Sequence, residues 1–84
     1  MSRYRTVFTR QALDFICRAG DDEMQELDVW LDRIEGQPGM SGDYAEISDA
    51  GRELQVTCLH QVVVTWWTDH AVREVRIMKI EPNI

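Results

Sequence analysis

The chain has 84 residues, 44% of them hydrophobic and 29% charged, with a formal net charge of −6. This composition fits one globular domain spanning 1–84 and excludes a disordered chain. The longest apolar-rich run, Val62 to Trp67, is far short of the ~20 residues that cross a bilayer, so no membrane association is expected.

The first residues, MSRYRTVFTR, carry charge with no apolar run behind them, so no signal peptide is expected. Tyr4 to Thr9 reads as an opening strand, with Tyr4, Thr6 and Phe8 alternating against Arg5, Val7 and Thr9. Thr9 is placed to cap a first helix over Arg10 to Ala19 that buries Leu13, Ile16 and Cys17. Gly20 suits a left-handed stop at its end. A second helix starts at Asp22, with Gln25 completing a capping box, and presents Met24, Leu27, Trp30, Leu31 and Ile34 at helical spacing. Gly36-Gln37-Pro38-Gly39 ends it. Tyr44 to Ile47 is a short strand that the sequence does not assign to or exclude from the sheet.

From Gly51 to Ile80 the chain reads as three strands joined by two turns. Leu54, Val56 and Cys58 alternate on the first, Val62, Val64 and Trp66 on the second, and Val75 and Ile77 on the third. A three-residue turn, Leu59-His60-Gln61, would put all of them on one face, with Cys58 opposite Val62, Val56 opposite Val64 and Leu54 opposite Trp66. The other face would carry Glu53, Gln55, Thr57, Val63, Thr65, Trp67, Glu74, Arg76 and Met78. Adjacent strand residues point to opposite faces, so only Trp66 of the Trp66-Trp67 pair joins the core, near Trp30. Trp67 falls on the mixed face beside Arg76 or Glu74. The expected architecture is α+β: a strand, a two-helix hairpin, then a three- to four-stranded antiparallel meander packed on the helices.

The charge is uneven. Residues 1–20 hold Arg3, Arg5, Arg10 and Arg18 against Asp14 alone, and 21–35 hold seven acids against Arg33. No stretch has the clustered cations that bind nucleic acid through its phosphates, so nucleic acid is not expected as a high-affinity partner. The two cysteines, Cys17 and Cys58, lack metal-ligand spacing and lie on expected apolar faces. They read as buried free thiols in a reducing cytoplasm. His60 and His70 sit at opposite ends of one strand, roughly 25–30 Å apart at ~3.3 Å per residue, which rules out a shared metal ion within the chain. No metal and no cofactor is expected. Asp69 beside His70 reads as turn chemistry. The catalytic candidates reduce to His60 with Arg52 or Arg76, and the partner-binding candidates are Trp67, Arg76, Gln55, Thr65 and Met78 on the mixed face.

The segment VFTRQAL after the first strand and the block WWTDHAVREVRIMKI resemble the RelE/ParE toxin superfamily of bacterial toxin–antitoxin modules over nearly the whole chain. The resemblance rests on a strand followed by the helix start Gln11-Ala12-Leu13, then a hydrophobic strand, an acidic turn and a final strand over Val75 to Ile80. It implies a curved antiparallel sheet against a helical hairpin, and an antitoxin that masks the working face. The mRNA-cleaving members carry an Arg in the turn before the middle strand and a terminal His-Arg or Tyr; here the turn is Leu59-His60-Gln61 and the end is Lys79-Ile80-Glu81-Pro82-Asn83-Ile84.

The first reading is therefore a toxin-like protein that acts by protein binding, on an antitoxin or a cellular target. A non-toxic binding or homo-oligomeric module on the same fold is the alternative. An endoribonuclease comes third, because RNA cleavage needs cations to hold phosphate and stabilise developing charge.

Overall fold

The computed structural model describes residues 3–84. The elements run β1 (Arg5–Phe8), α1 (Arg10–Arg18), α2 (Asp21–Gly36), β2 (Tyr44–Ile47), β3 (Glu53–Cys58), β4 (Val62–Asp69) and β5 (Glu74–Pro82). The strands form a five-stranded sheet in the order β1-β5-β4-β3-β2. β2 to β5 are an antiparallel meander, and β1 pairs with β5 in parallel, so the α+β expectation holds but the sheet is mixed. Tyr44–Ile47 joins it as an edge strand.

Thr9 caps α1 as its sequence position suggests, accepting from Ala12 N–H at 3.3 Å while its hydroxyl donates to Met78 O at 2.7 Å. The buried face of α1 differs from the expected one. Ala12 is buried, Phe15 and Ile16 are half-buried, and Leu13 and Cys17 are exposed. The reason is Gln11, whose amide brackets the backbone of Ile80: Nε2–H donates to Ile80 O at 2.9 Å and Oε1 accepts from Ile80 N–H at 3.0 Å. Pinned there, the helix turns the small Ala12 toward the sheet and Leu13 outward.

Gly20 is extended (φ −80°, ψ 174°), not left-handed, and serves as the N-cap of α2. The capping carboxylate is Glu23, which accepts from Gly20 N–H at 2.8 Å. The expected Asp22–Gln25 box is thus displaced, because α2 begins one residue earlier, at Asp21. The apolar stripe of α2 is as read: Leu27, Trp30 and Ile34 are buried, with Met24 and Leu31 packed beside them. They meet Val62, Val64 and Trp66 of β4 and Val75, Ile77 and Ile80 of β5. Trp30 and Trp66 pack edge to face with centroids 5.6 Å apart.

Ile80 reaches this core through a bulge. Trp66 pairs with Ile77 but Thr65 pairs with Lys79, which leaves Met78 as the extra residue and returns Ile80 to the helix side. Strict alternation would have sent Ile80 to the opposite face.

The register of β3 against β4 is one residue away from the expected one. Val56 lies opposite Thr65 and Thr57 opposite Val64, and Leu59 N–H donates to Val62 O at 2.8 Å across a two-residue His60-Gln61 loop. Leu54, Val56 and Cys58 therefore face away from the helices, while Gln55 and Thr57 face toward them. Both polar residues are satisfied there. Gln55 Oε1 accepts from Gly42 N–H at 2.9 Å, and Thr57 Oγ1 accepts from Trp66 Nε1–H at 3.2 Å. The loop is fixed from outside by Glu26 of α2, whose carboxylate accepts from His60 N–H at 3.1 Å and Gln61 N–H at 2.7 Å. The slip exposes Cys58, and Cys17 is exposed by the rotation of α1, so neither thiol is buried. Among the described residues, no helix is long and apolar enough to cross a membrane.

Candidate functional site: the open face of the sheet

Both helices pack on one face of the sheet, leaving the other to strand side chains and one loop. Val7 of β1, Arg76 of β5, Trp67 of β4 and Leu54 of β3 stand on this open face. The loop between β2 and β3 folds back over it. Ser48 N–H donates to Arg52 O and Gly51 N–H to Ser48 O, each at 2.8 Å, and Gly51 takes φ +82°, where a side chain would be strained. This closure places Arg52 on the ring of Trp67, with the guanidinium carbon 3.8 Å from the ring centroid. Leu54 and Val56 keep only 7% and 1% of their surface exposed although no helix covers them. Leu54 shares a cavity with Ser48, Ala50 and Arg52 of the β2–β3 loop, which partly roofs the face.

Arg76 approaches the same ring at 5.6 Å. Its Nη2–H donates to Glu74 Oε1 at 2.8 Å, and its Nε lies 3.8 Å from Asp69 Oδ2. Glu74 is buried and also accepts from Arg5. The Arg5–Glu74–Arg76 chain links β1 to β5 and holds Arg76 in place, although the high exposure of both arginines keeps its net stabilisation small.

Two cavities meet at Trp67. One, of about 710 Å³, is lined by Arg52, Gln55, Trp66, Thr68, His70 and the 38–41 segment. The other, of about 320 Å³, is lined mainly by apolar groups, among them Val7, Leu54 and Met78. His70 is oriented by Tyr4, whose hydroxyl hydrogen-bonds to Nδ1 at 2.8 Å. Asp69 does not pair with His70; its Oδ1 accepts from Ala71 N–H at 3.2 Å, as a turn residue does.

Of the residues singled out from sequence, Trp67, Arg76 and Met78 come together on the open face. Thr65 lies on the same side but is buried, at 3% exposure. Gln55 is on the helix side because of the β3 slip and lines the larger cavity from there. His60 sits at the far end of β3 from Arg52, roughly 25 Å along the strand at ~3.3 Å per residue, so Arg52 and Arg76 share a site and His60 does not join it. The stacking of Arg52 on Trp67 and the Tyr4–His70 contact left no trace in the sequence, since each joins residues brought together only by the fold.

Comparison of the chain with family models, with curated proteins and with solved structures finds no match.

Proposed function

We propose that this chain is a toxin-like protein of RelE/ParE type that acts in the bacterial cytoplasm by binding another protein through the open face of its sheet. The observation that carries this reading is Trp67, half-buried on a face no helix covers and flanked by two arginine side chains. A rigid aromatic with guanidinium neighbours is the residue set on which protein interfaces concentrate their binding energy. The order of strand, two helices and antiparallel meander agrees with the resemblance seen in the sequence. The separation of His60 from Arg52 and Arg76 weighs against cleavage of RNA by those three residues.

A non-toxic module is the second reading. It is favoured by β2, an edge strand whose four residues are all exposed and which offers Tyr44 and Ile47 to a second copy.

Tight, inducible expression of the chain alone in a bacterial host separates the two. Growth arrest without RNA cleavage is the expected result. Normal growth with soluble protein and concentration-dependent sedimentation would replace the first reading with the second.

A further inference from the structure

The two guanidinium groups at Trp67 are in different states. Arg76 Nη2–H donates to Glu74 Oε1 at 2.8 Å, while its Nε, buried and without a hydrogen-bond partner, lies 3.8 Å from Asp69 Oδ2. Arg52 has no side-chain hydrogen bond or ion pair among the described residues, and its guanidinium carbon lies 3.8 Å from the Trp67 ring centroid. Its N–H groups are therefore left without a protein partner while the ring holds the guanidinium, a cationic point on a chain of net charge −6. Thr68 Oγ1, shielded from solvent and without a hydrogen-bond partner, is on the helix side of β4 opposite Val75 and lines the larger cavity with Arg52. On the other side of the Trp67 ring is the cavity lined by Val7, Leu54 and Met78.

We propose that Arg52 is the receptor for a carboxylate side chain on a partner protein, and that an apolar side chain of the same segment enters the cavity lined by Val7, Leu54 and Met78. This inference rests on the protein-binding reading and names the chemistry of the partner. A planar guanidinium with a free edge matches a carboxylate in two parallel hydrogen bonds. One uncompensated cation suits one carboxylate, whereas a polyanion such as RNA requires a row of them. Arg76, the other cation at this cavity, is already paired with Glu74, and the apolar wall of Val7, Leu54 and Met78 beside Arg52 suits a peptide side chain.

The test is a proton–nitrogen NMR titration of the whole chain with two blocked tripeptides, acetyl-Leu-Glu-Leu-amide and its Gln counterpart. The expected result is that the Glu peptide moves the Trp67 indole and Arg52 guanidinium signals and binds roughly tenfold more tightly than the Gln peptide. Arg52→Gln should abolish that preference; because Arg52 is exposed, the variant's remaining spectrum should match the wild-type one. Equal affinity for the two peptides overturns the proposal and leaves the open face as a surface for neutral segments. Unmoved Trp67 and Arg52 signals at millimolar Glu peptide also overturn it. Neither failure bears on the protein-binding reading, which growth arrest judges independently.

Discussion

Gln11→Ala should destabilise the chain by about 1.5 kcal/mol, although Gln11 is an exposed residue on the first turn of α1. Its amide acts as a short substitute strand. β1 pairs with β5 only as far as Phe8 opposite Ile77, so the outward-facing backbone of Ile80 has no strand beside it. Gln11 supplies both missing partners, at 2.9 and 3.0 Å. Two hydrogen bonds contribute roughly 2 kcal/mol net. Ala returns a few tenths of a kcal/mol of helix propensity, and because the site is exposed no cavity is left behind (about 0.3 kcal/mol for Gln against Ala). A loss of about 1.5 kcal/mol corresponds to roughly 6–12 °C in melting temperature for a domain of this size. The assay is thermal and urea unfolding followed by circular dichroism, with amide exchange at Ile80 read in parallel. Gln11→Glu keeps the acceptor but loses the donor, and should fall between wild type and Ala. A melting temperature within about 2 °C of wild type, with unchanged exchange at Ile80, would refute the substitute-strand argument and leave β5 held by its pairing with β1 and β4 and by packing.

Other substitutions test neighbouring parts of the account. In Gly42→Ala the new methyl would lie 2.6 Å from Val56 O and 2.8 Å from Val56 N, both backbone atoms that cannot swing away. The 38–43 segment should lift from β3 at a cost of about 2 kcal/mol, seen as a lower urea midpoint; an unchanged midpoint would contradict the close approach. Glu26→Ala removes the carboxylate that holds His60 N–H and Gln61 N–H. It should speed exchange of those two amides and cost about 2 kcal/mol; if their exchange is unaffected, the loop is set by its own sequence. Trp66→Ala should cost about 3–5 kcal/mol, most of the stability of a small domain. Loss of near-ultraviolet dichroism is the expected readout, and a cooperative, wild-type-like melt would show that the Trp30–Trp66 contact is not central.

Much of the fold is legible in the sequence, because helical periodicity is redundant. Five apolar positions of α2 recur at the same spacing, so a one-residue error in its start leaves the buried face unchanged. The α1 stripe is shorter, and its orientation is decided by Gln11, a polar residue whose partner lies 69 positions away. The β3 register fails for a similar reason. Alternation places Leu54 and Val56 on one face and Gln55 and Thr57 on the other, and hydrophobicity favours the first set for the helix side. The structure reverses this because Gly42 N–H and Trp66 Nε1–H satisfy the polar pair, while Ser48, Ala50 and Arg52 of the β2–β3 loop close over Leu54. Those partners come from distant segments that local patterning does not link. Within the candidate site, Trp67 and Arg76 are legible because the strand pairing alone makes them neighbours. Arg52 reaches the same ring only through the turn at Gly51, so its place there could not be read.

The most direct test of the central claim is bacterial growth after induction of wild type and of Trp67→Ala, with Val29→Ala on the exposed side of α2 as control. The variants are first shown to be folded and equally abundant. If the open face is the working surface, wild type and Val29→Ala arrest growth, and Trp67→Ala, losing about 2 kcal/mol of partner affinity or roughly thirtyfold in Kd, restores it. Arrest that persists unchanged in Trp67→Ala would place the activity elsewhere on the molecule, and no arrest by folded wild-type protein would contradict the toxin-like reading itself.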